Sequence, residues 1–287
     1  MSTQITTAFV QQFSSNVQIL SQQMGSKLRN AVEEESVVGE KAFFEQVSAT
    51  AASKRTSRHA ATPLMDTPHS RRMVTLDEWE WADLIDSSDK VKMLVDPTSS
   101  YAKSAAAAIG RSMDDQIIAA ATGSASTGAS GSTSTALPAG QKIAHGSGDM
   151  TAAKLLSAKK LFDDADVDSS LKRYMVVGPA QIEALMNINT VTSSDYNTVK
   201  ALVQGEINTY LGFEFIMSTR LAVASNIRTC FAFAEGGIKL GVSKDVTARI
   251  DERADKSYST QVFYCAQFGA TRMDENMVVE IGCDESA

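Results

Sequence analysis

Two acidic clusters, three histidines and three cysteines are the groups in this sequence that could do chemistry, and their spacing tests each set in turn. Asp114 and Asp115 are adjacent in "GRSMDDQIIAAATG" (110–123). A carboxyl pair works as general acid and base only when both groups aim at one reacting bond. Adjacent positions on a helix point about 100° apart, so this pair suits that chemistry badly. It is expected on the polar side of the helix, paired with an Arg or Lys of another element. "DDADVD" (163–168) sets Asp164, Asp166 and Asp168 at alternate positions, like the opening of a calcium loop. Ser169 stands where that loop needs Gly and Met175 where it needs Glu, so the cluster reads as a solvated helix end. His59, His69 and His145 have no second ligand at helical or strand spacing, and no metal site is expected. Cys230, Cys265 and Cys283 are odd in number and widely spaced, which fits a reducing compartment better than a disulfide framework. Phosphate-loop, dinucleotide, nucleophile-elbow and zinc-protease motifs are absent. The expectation is no catalytic residue, no metal and no cofactor.

The elements that carry these residues are legible in the pattern. With 43% hydrophobic and 21% charged residues among 287, the chain can bury a core. Its formal net charge of −7 argues against diffuse attraction to nucleic acid as the main design. The N-terminus does not read as a signal peptide, and no run approaches a membrane span. Within residues 1–32, Val10, Phe13, Val17, Leu20 and Met24 form one apolar helical stripe, suited to the chain's own domain or to a partner chain. "DPTSSYAKSAAAAIGRSMDDQIIAAATG" (96–123) predicts a helix of about 39 Å. Asp96 or Thr98 is its cap, Pro97 its first turn and Gly123 its left-handed stop. Its small side chains let another backbone lie close, and Gly110 marks a close approach or a bend.

The remaining stretches alternate. Residues 123–141, "GSASTGASGSTSTALPAGQ", predict a flexible loop. A helix is expected over 148–171 with Leu155, Leu156, Leu161 and Phe162 on its apolar face, then a buried strand "RYMVVGP" (173–179). Helices over 180–188 and 199–207 and a strand over 213–221 complete a mixed α/β stretch. From Cys230 onward the pattern is β. Tyr258, Thr260, Val262, Tyr264, Ala266 and Phe268 alternate with their neighbours, and Met277, Val279 and Ile281 form a shorter alternating run. The class is α+β.

Two charged strips stand between the N-terminal stripe and the long helix. Lys54, Arg55, Arg58, Arg71 and Arg72 lie in an extended, proline-broken segment. "DEWEWADLIDSSD" (77–89) follows, with Asp77, Glu78 and Glu80 among its acids. Trp79 and Trp81 would share one face of a strand. These strips are either two solvated surfaces, or the basic loop of one subunit lies on the acidic segment of the next.

The order of these pieces resembles the major capsid proteins of tailed bacteriophages, which share one fold with encapsulins and the herpesvirus capsid floor. Four pieces carry the likeness: the polar arm (1–36), the segment "RRMVTLDEWEWADLIDSSDKVKMLVDPTSSYA" (71–102), the alanine-rich helix ending "GRSMDDQIIAAATG", and the insert with "RYMVVGPAQIEALM" (173–186) and "YLGFEFIMSTRL" (210–221). The helix is most like that of short-tailed phages. The resemblance implies an N-terminal arm over 1–36, an extended loop over 37–95, and a peripheral domain over 96–147 and 231–287. It places an axial domain at 148–230. It implies hexamers and pentamers of an icosahedral shell around double-stranded DNA, assembled in the host bacterial cytoplasm, with no sequence-specific DNA contact and no membrane. A separate scaffolding protein and a portal are expected, with room for a decoration protein and no covalent lysine–asparagine links. Interfaces are expected at Phe13, Val17 and Leu20, at Lys54, Arg55, Arg58, Arg71 and Arg72, and at Asp77, Glu78, Trp79, Glu80 and Trp81. Two alternatives remain open on the sequence: an α+β enzyme using a carboxylate pair with 123–141 as a lid, and an encapsulin-like compartment.

Overall fold

The computed structural model describes residues 21–59, 61–62, 64–86, 98–146, 148–187 and 209–286. Along the chain run β1 (Glu33–Ser36), β2 (Lys41–Val47), β3 (His69–Thr75), β4 (Asp77–Ile85), α1 (Thr98–Thr122), β5 (Ala125–Thr127), β6 (Thr133–Thr135) and β7 (Lys142–Ile143). Then come α2 (Ala152–Asp164), β8 (Arg173–Val177), α3 (Pro179–Met186), β9 (Thr209–Tyr210), β10 (Phe213–Met217), β11 (Val223–Ala224), β12 (Ile227–Ala234), β13 (Ile238–Arg253), β14 (Ser259–Arg272) and β15 (Val278–Asp284). The class is α+β, as the pattern predicts. The chain divides into two compact units. The smaller holds 78–112, 244–266 and the described residues up to 26; the larger holds 27–77, 113–243 and 267–287.

The larger unit is built on a mixed seven-stranded sheet, β7-β15-β12-β8-β10-β9, with β11 paired to β12. β8 runs parallel to β10 and antiparallel to β12. All five residues of β8 are buried, the pattern of a strand covered on both faces. Phe231, Phe233, Val278, Val279 and Ile281 fill the same core. The rings of Phe162 and Phe213 stand 6.0 Å apart, and the Arg173 guanidinium sits 5.4 Å above Phe162 while pairing with Asp163. Thr151 caps α2 by accepting from the Lys154 N–H. One turn in, the Lys154 ammonium donates to the carbonyls of His145, Gly148, Asp149 and Gly282 at 2.7–3.0 Å, which pins the preceding loop to β15. A second sheet, β2-β3-β5-β6, carries Arg71 and Arg72 on β3.

The smaller unit contains the first fifteen residues of α1, most of β4, and the outer parts of β13 and β14. Gly110 is the close approach that the sequence suggests. A Cβ there would stand 2.5 Å from the carbonyl carbon of Gly25 and 2.7 Å from the Ser26 nitrogen. Arg111 donates to the Gln23 carbonyl and the Gln22 side chain beside this contact.

Several expectations change. The described part of 1–32 holds one 3-10 turn, Arg29–Ala31, and Met24 is exposed rather than on a packed stripe. Val10, Phe13, Val17 and Leu20 lie outside the described residues, as do Asp96, Pro97 and the helix expected at 199–207. Thr98 is the first helical residue rather than a cap. Gly123 is not left-handed: its N–H continues the helical pattern to the Ala119 carbonyl at 2.9 Å, and a Cβ there would meet that oxygen at 2.5 Å. Space, not backbone sign, selects glycine. The stretch 123–141 is no open loop. β5 and β6 form a hairpin on the edge of β3, turned at Gly128 (φ 90°) and Gly131 (φ 70°) and tied by a 3.0 Å bond between Thr127 Oγ1 and Thr135 Oγ1. Composition misleads there because serine and threonine pair as readily across strands as they line loops.

The helix expected over 148–171 is shorter, and Leu156 is exposed. Asp166, with φ 53°, ends the run in the "DDADVD" segment. Tyr258 is exposed in a left-handed turn, so the long alternation starts at Ser259. Met277 sits in a 3-10 turn before β15.

Gly110→Ala provides an opposed-sign test. Helix propensity alone favours alanine by about 1 kcal/mol. The contact is with backbone, which cannot swing aside, and overpacking of this kind costs about 1–3 kcal/mol. Denaturant unfolding is expected to show a net loss of stability.

Candidate interaction surfaces

The end of α1 is held by a residue that the sequence reading did not single out. Arg272 is fully buried. Its Nη1 donates to the carbonyls of Ala121 (3.0 Å) and Gly123 (2.6 Å), and its Nη2 to the Thr135 carbonyl (3.0 Å). It thus satisfies carbonyls that a helix C-terminus leaves without partners and ties β6 to them. Burial lowers the Arg272 pKa, and the nearby Glu275 carboxylate opposes that fall. Arg72 pairs with the same Glu275 at 2.6 Å and donates to the Met273 carbonyl at 3.0 Å. A signal existed: Arg272 has the parity of Val262 and Phe268, the buried side of the alternating strand.

The carboxylate pair separates as adjacent helix positions must. Asp115 is half-exposed and pairs with Arg220, whose pKa it raises through their hydrogen bond. Asp114 departs from expectation. It is fully buried rather than on the wet side, and it accepts the backbone N–H groups of Lys27 (3.0 and 3.1 Å) and Leu28 (3.1 Å). Both acids are occupied by structural partners, and neither aims at a shared reacting position. No group of three or more His, Cys, Asp or Glu that could hold a metal occurs among the described residues. All three cysteines are free and buried, and Cys230 has its thiol pKa raised by a hydrogen bond with Cys283 and by burial.

The charged strips are placed as follows. Lys54, Arg55 and Arg58 are exposed on an irregular segment with no ion partner among the described residues. Arg71 is half-exposed, pairs with Glu45 at 2.7 Å and stands 5.5 Å over the Phe43 ring. Arg72 is buried in the Glu275 pair. On β4, Asp77, Glu78 and Glu80 are exposed, while Trp79 and Trp81 are half-buried on one face, as the spacing predicts. Phe13, Val17 and Leu20 lie outside the described residues.

A groove of about 400 Å³ lies on one face of the outer β13–β14 ribbon, lined by Thr247, Arg249, Asp251, Arg253, Gln261 and Phe263. Lys244 borders it with its ammonium 2.9 Å from the Cys265 sulfur. The opposite face of β13 carries Val246 and Ile250, 39% and 51% exposed.

A family model described as "Phage capsid protein" matches residues 5–285. No curated protein matches the chain. Among solved structures, the capsid of cyanophage P-SCSP1u is 18% identical with a TM-score of 0.72, covering 99% of this chain and 95% of that one. The capsid asymmetric unit of cyanophage Pam1 is 13% identical with a TM-score of 0.75, covering 98% of both chains. The mature capsid of bacteriophage PhiM1 is 12% identical with a TM-score of 0.66, covering 96% of this chain and 91% of that one. The chain belongs to the phage capsid protein family. It is a major capsid protein, a structural subunit of the icosahedral shell of a phage virion rather than an enzyme.

Two substitutions separate buried from surface charge. Arg272→Met leaves three buried carbonyls without their donor and Glu275 with Arg72 alone, and is expected to cost about 3–5 kcal/mol, the range for breaking a buried charged network. Arg220→Met, which removes a half-exposed pair, should cost about 1 kcal/mol or less by the same denaturation measurement.

A pH series tests the C-terminal fastening. Arg228 lowers the pKa of Glu285 through their hydrogen bond, and Gln181 adds to the effect. A carboxyl depressed on folding contributes stability above its unfolded pKa, about 4.3. That contribution is lost as pH falls through the folded value. The stability gap between the native chain and Glu285→Gln is therefore expected to be constant above about pH 5 and to shrink below about pH 4.3.

Proposed function

We propose that the subunit assembles as hexamers and pentamers around double-stranded DNA, and that its exposed charged strips are the contacts. The observation that carries this reading is that Lys54, Arg55 and Arg58 on one segment, and Asp77, Glu78 and Glu80 on another, have no ion partner among the described residues. Opposite strips left open in one chain suit neighbouring copies. Trp79 and Trp81 add half-exposed aromatic surface beside the acids. Arg71 joins from the loop base, while Arg72 supports that base from within. Phe13, Val17 and Leu20, whose spacing in the sequence is that of one helical stripe, belong to the same reading as the apolar part of the arm.

The division into an arm (1–36), an extended loop (37–95), a peripheral domain (96–147 with 231–287) and an axial domain (148–230) belongs to this reading. So does kinship to short-tailed phages, which rests on the alanine-rich stretch 96–123. A separate scaffolding protein and a portal are the further partners, with room for a decoration protein. The net charge of −7 fits a container that releases its DNA.

Electron microscopy of the chain expressed with and without a scaffold tests assembly, and closed shells are expected. An Arg55→Glu, Arg58→Glu double variant should keep its circular dichroism and melting behaviour yet lose particles. Normal particles from that variant would remove the loop from the assembly contacts. A monomer indifferent to concentration would overturn the shell reading itself.

A further inference from the structure

The three-strand part of the smaller unit has two open edges. β13 pairs with β1 only through Lys239–Val242, so beyond that point it has β14 on one side and no strand on the other among the described residues. β4 ends the sheet on the far side of β14. Open edges of this length present unpaired N–H and C=O groups, and native proteins cover them, shorten them or charge them.

These two edges match by kind on both faces. One face of β13 carries Arg249 on the groove rim, with Asp251 next along it and Arg253 beyond, already paired with Asp255 at 2.7 Å; one face of β4 carries Glu78 and Glu80, the acids that Arg249 would meet. The other face of β13 carries exposed Val246, Ala248 and Ile250; the other face of β4 carries half-buried Trp79 and Trp81. Acid against base and aromatic against β-branched are the cross-strand pairs that stabilise sheets. The charges also disfavour like edges meeting: β4 against β4 would oppose Glu78 and Glu80 to their own copies.

We propose that the β13 edge, residues 243–253, of one copy takes the β4 edge of a second copy, so that this sheet continues from subunit to subunit. The inference rests on the shell reading above and names one of its contacts. A head-to-tail contact of this kind closes into a ring when its rotation allows, which is the geometry that hexamers and pentamers require. Backbone hydrogen bonds supply attachment, and the side chains set orientation.

The test uses the full chain with its scaffold. Arg249→Glu and Glu80→Lys are each expected to lower particle yield about tenfold or more, because like charges then face each other across the edge. The two changes together should restore particles. Copies carrying Cys at 247, 249 or 251, the face of Arg249, are then co-assembled with copies carrying Cys at 80, 82 or 84, the face of Glu80. Because the native thiols are buried, mild oxidation should give disulfide-linked dimers at matching registers and none in denatured controls. Normal particles from both single variants, with no cross-link at any of the nine pairings, would overturn the edge contact and leave the shell reading standing. Loss of particles on Arg55→Glu, Arg58→Glu that is restored by Glu80→Lys would assign the acidic strand to the basic loop and also overturn it. Native chains that form no particle in any condition would sink both readings.

Discussion

The fold depends on how the buried guanidinium of Arg272 ends the long helix. A helix C-terminus leaves carbonyls without N–H partners. Here two of them, together with a carbonyl of the β5–β6 hairpin, converge on one cation inside the larger unit. A charge in that position is tolerable only because it is hydrogen-bonded on several sides and faces Glu275. Arg72 reaches the same carboxylate from β3, so the helix end, the hairpin, the second sheet and the end of β14 share one electrostatic knot. Asp114 does the complementary work lower on the helix, where its carboxylate gathers two backbone N–H groups. One acid and one base inside the core thus fix the chain on either side of α1's C-terminal half.

Small side chains make that fixation possible. Alanine and glycine along α1 give up bulk that could be buried, and they allow backbone to touch backbone, as Gly110 touches Gly25. Close contact of this kind stiffens the helix where bulky side chains are missing.

The periodic parts of the fold were legible. The helix over 98–122, the wholly buried strand 173–177 and the tryptophan pair of β4 all follow from spacing. What failed did so where tertiary contacts override local chemistry. Gly123 suggested a left-handed stop, but the stop is supplied by Arg272 from far along the chain. Asp114 read as solvated because a lone Asp on an alanine helix has no visible partner, and its partners are backbone groups that carry no sequence signature. The serine-rich 123–135 stretch became a hairpin because β3 offered it an edge. For the surfaces, sequence marked charge but not its use. Arg71 and Arg72 are neighbours, yet one is half-open and the other is committed to the core.

The thiols carry a last consequence. Cys230, Cys265 and Cys283 all sit below the surface, and a hydrogen bond with Cys283 together with burial keeps Cys230 protonated. Subunits of this kind hold all their thiols away from free disulfides in the surrounding water. A change from reducing to oxidising surroundings therefore gives neighbouring walls no thiols through which to become covalently welded.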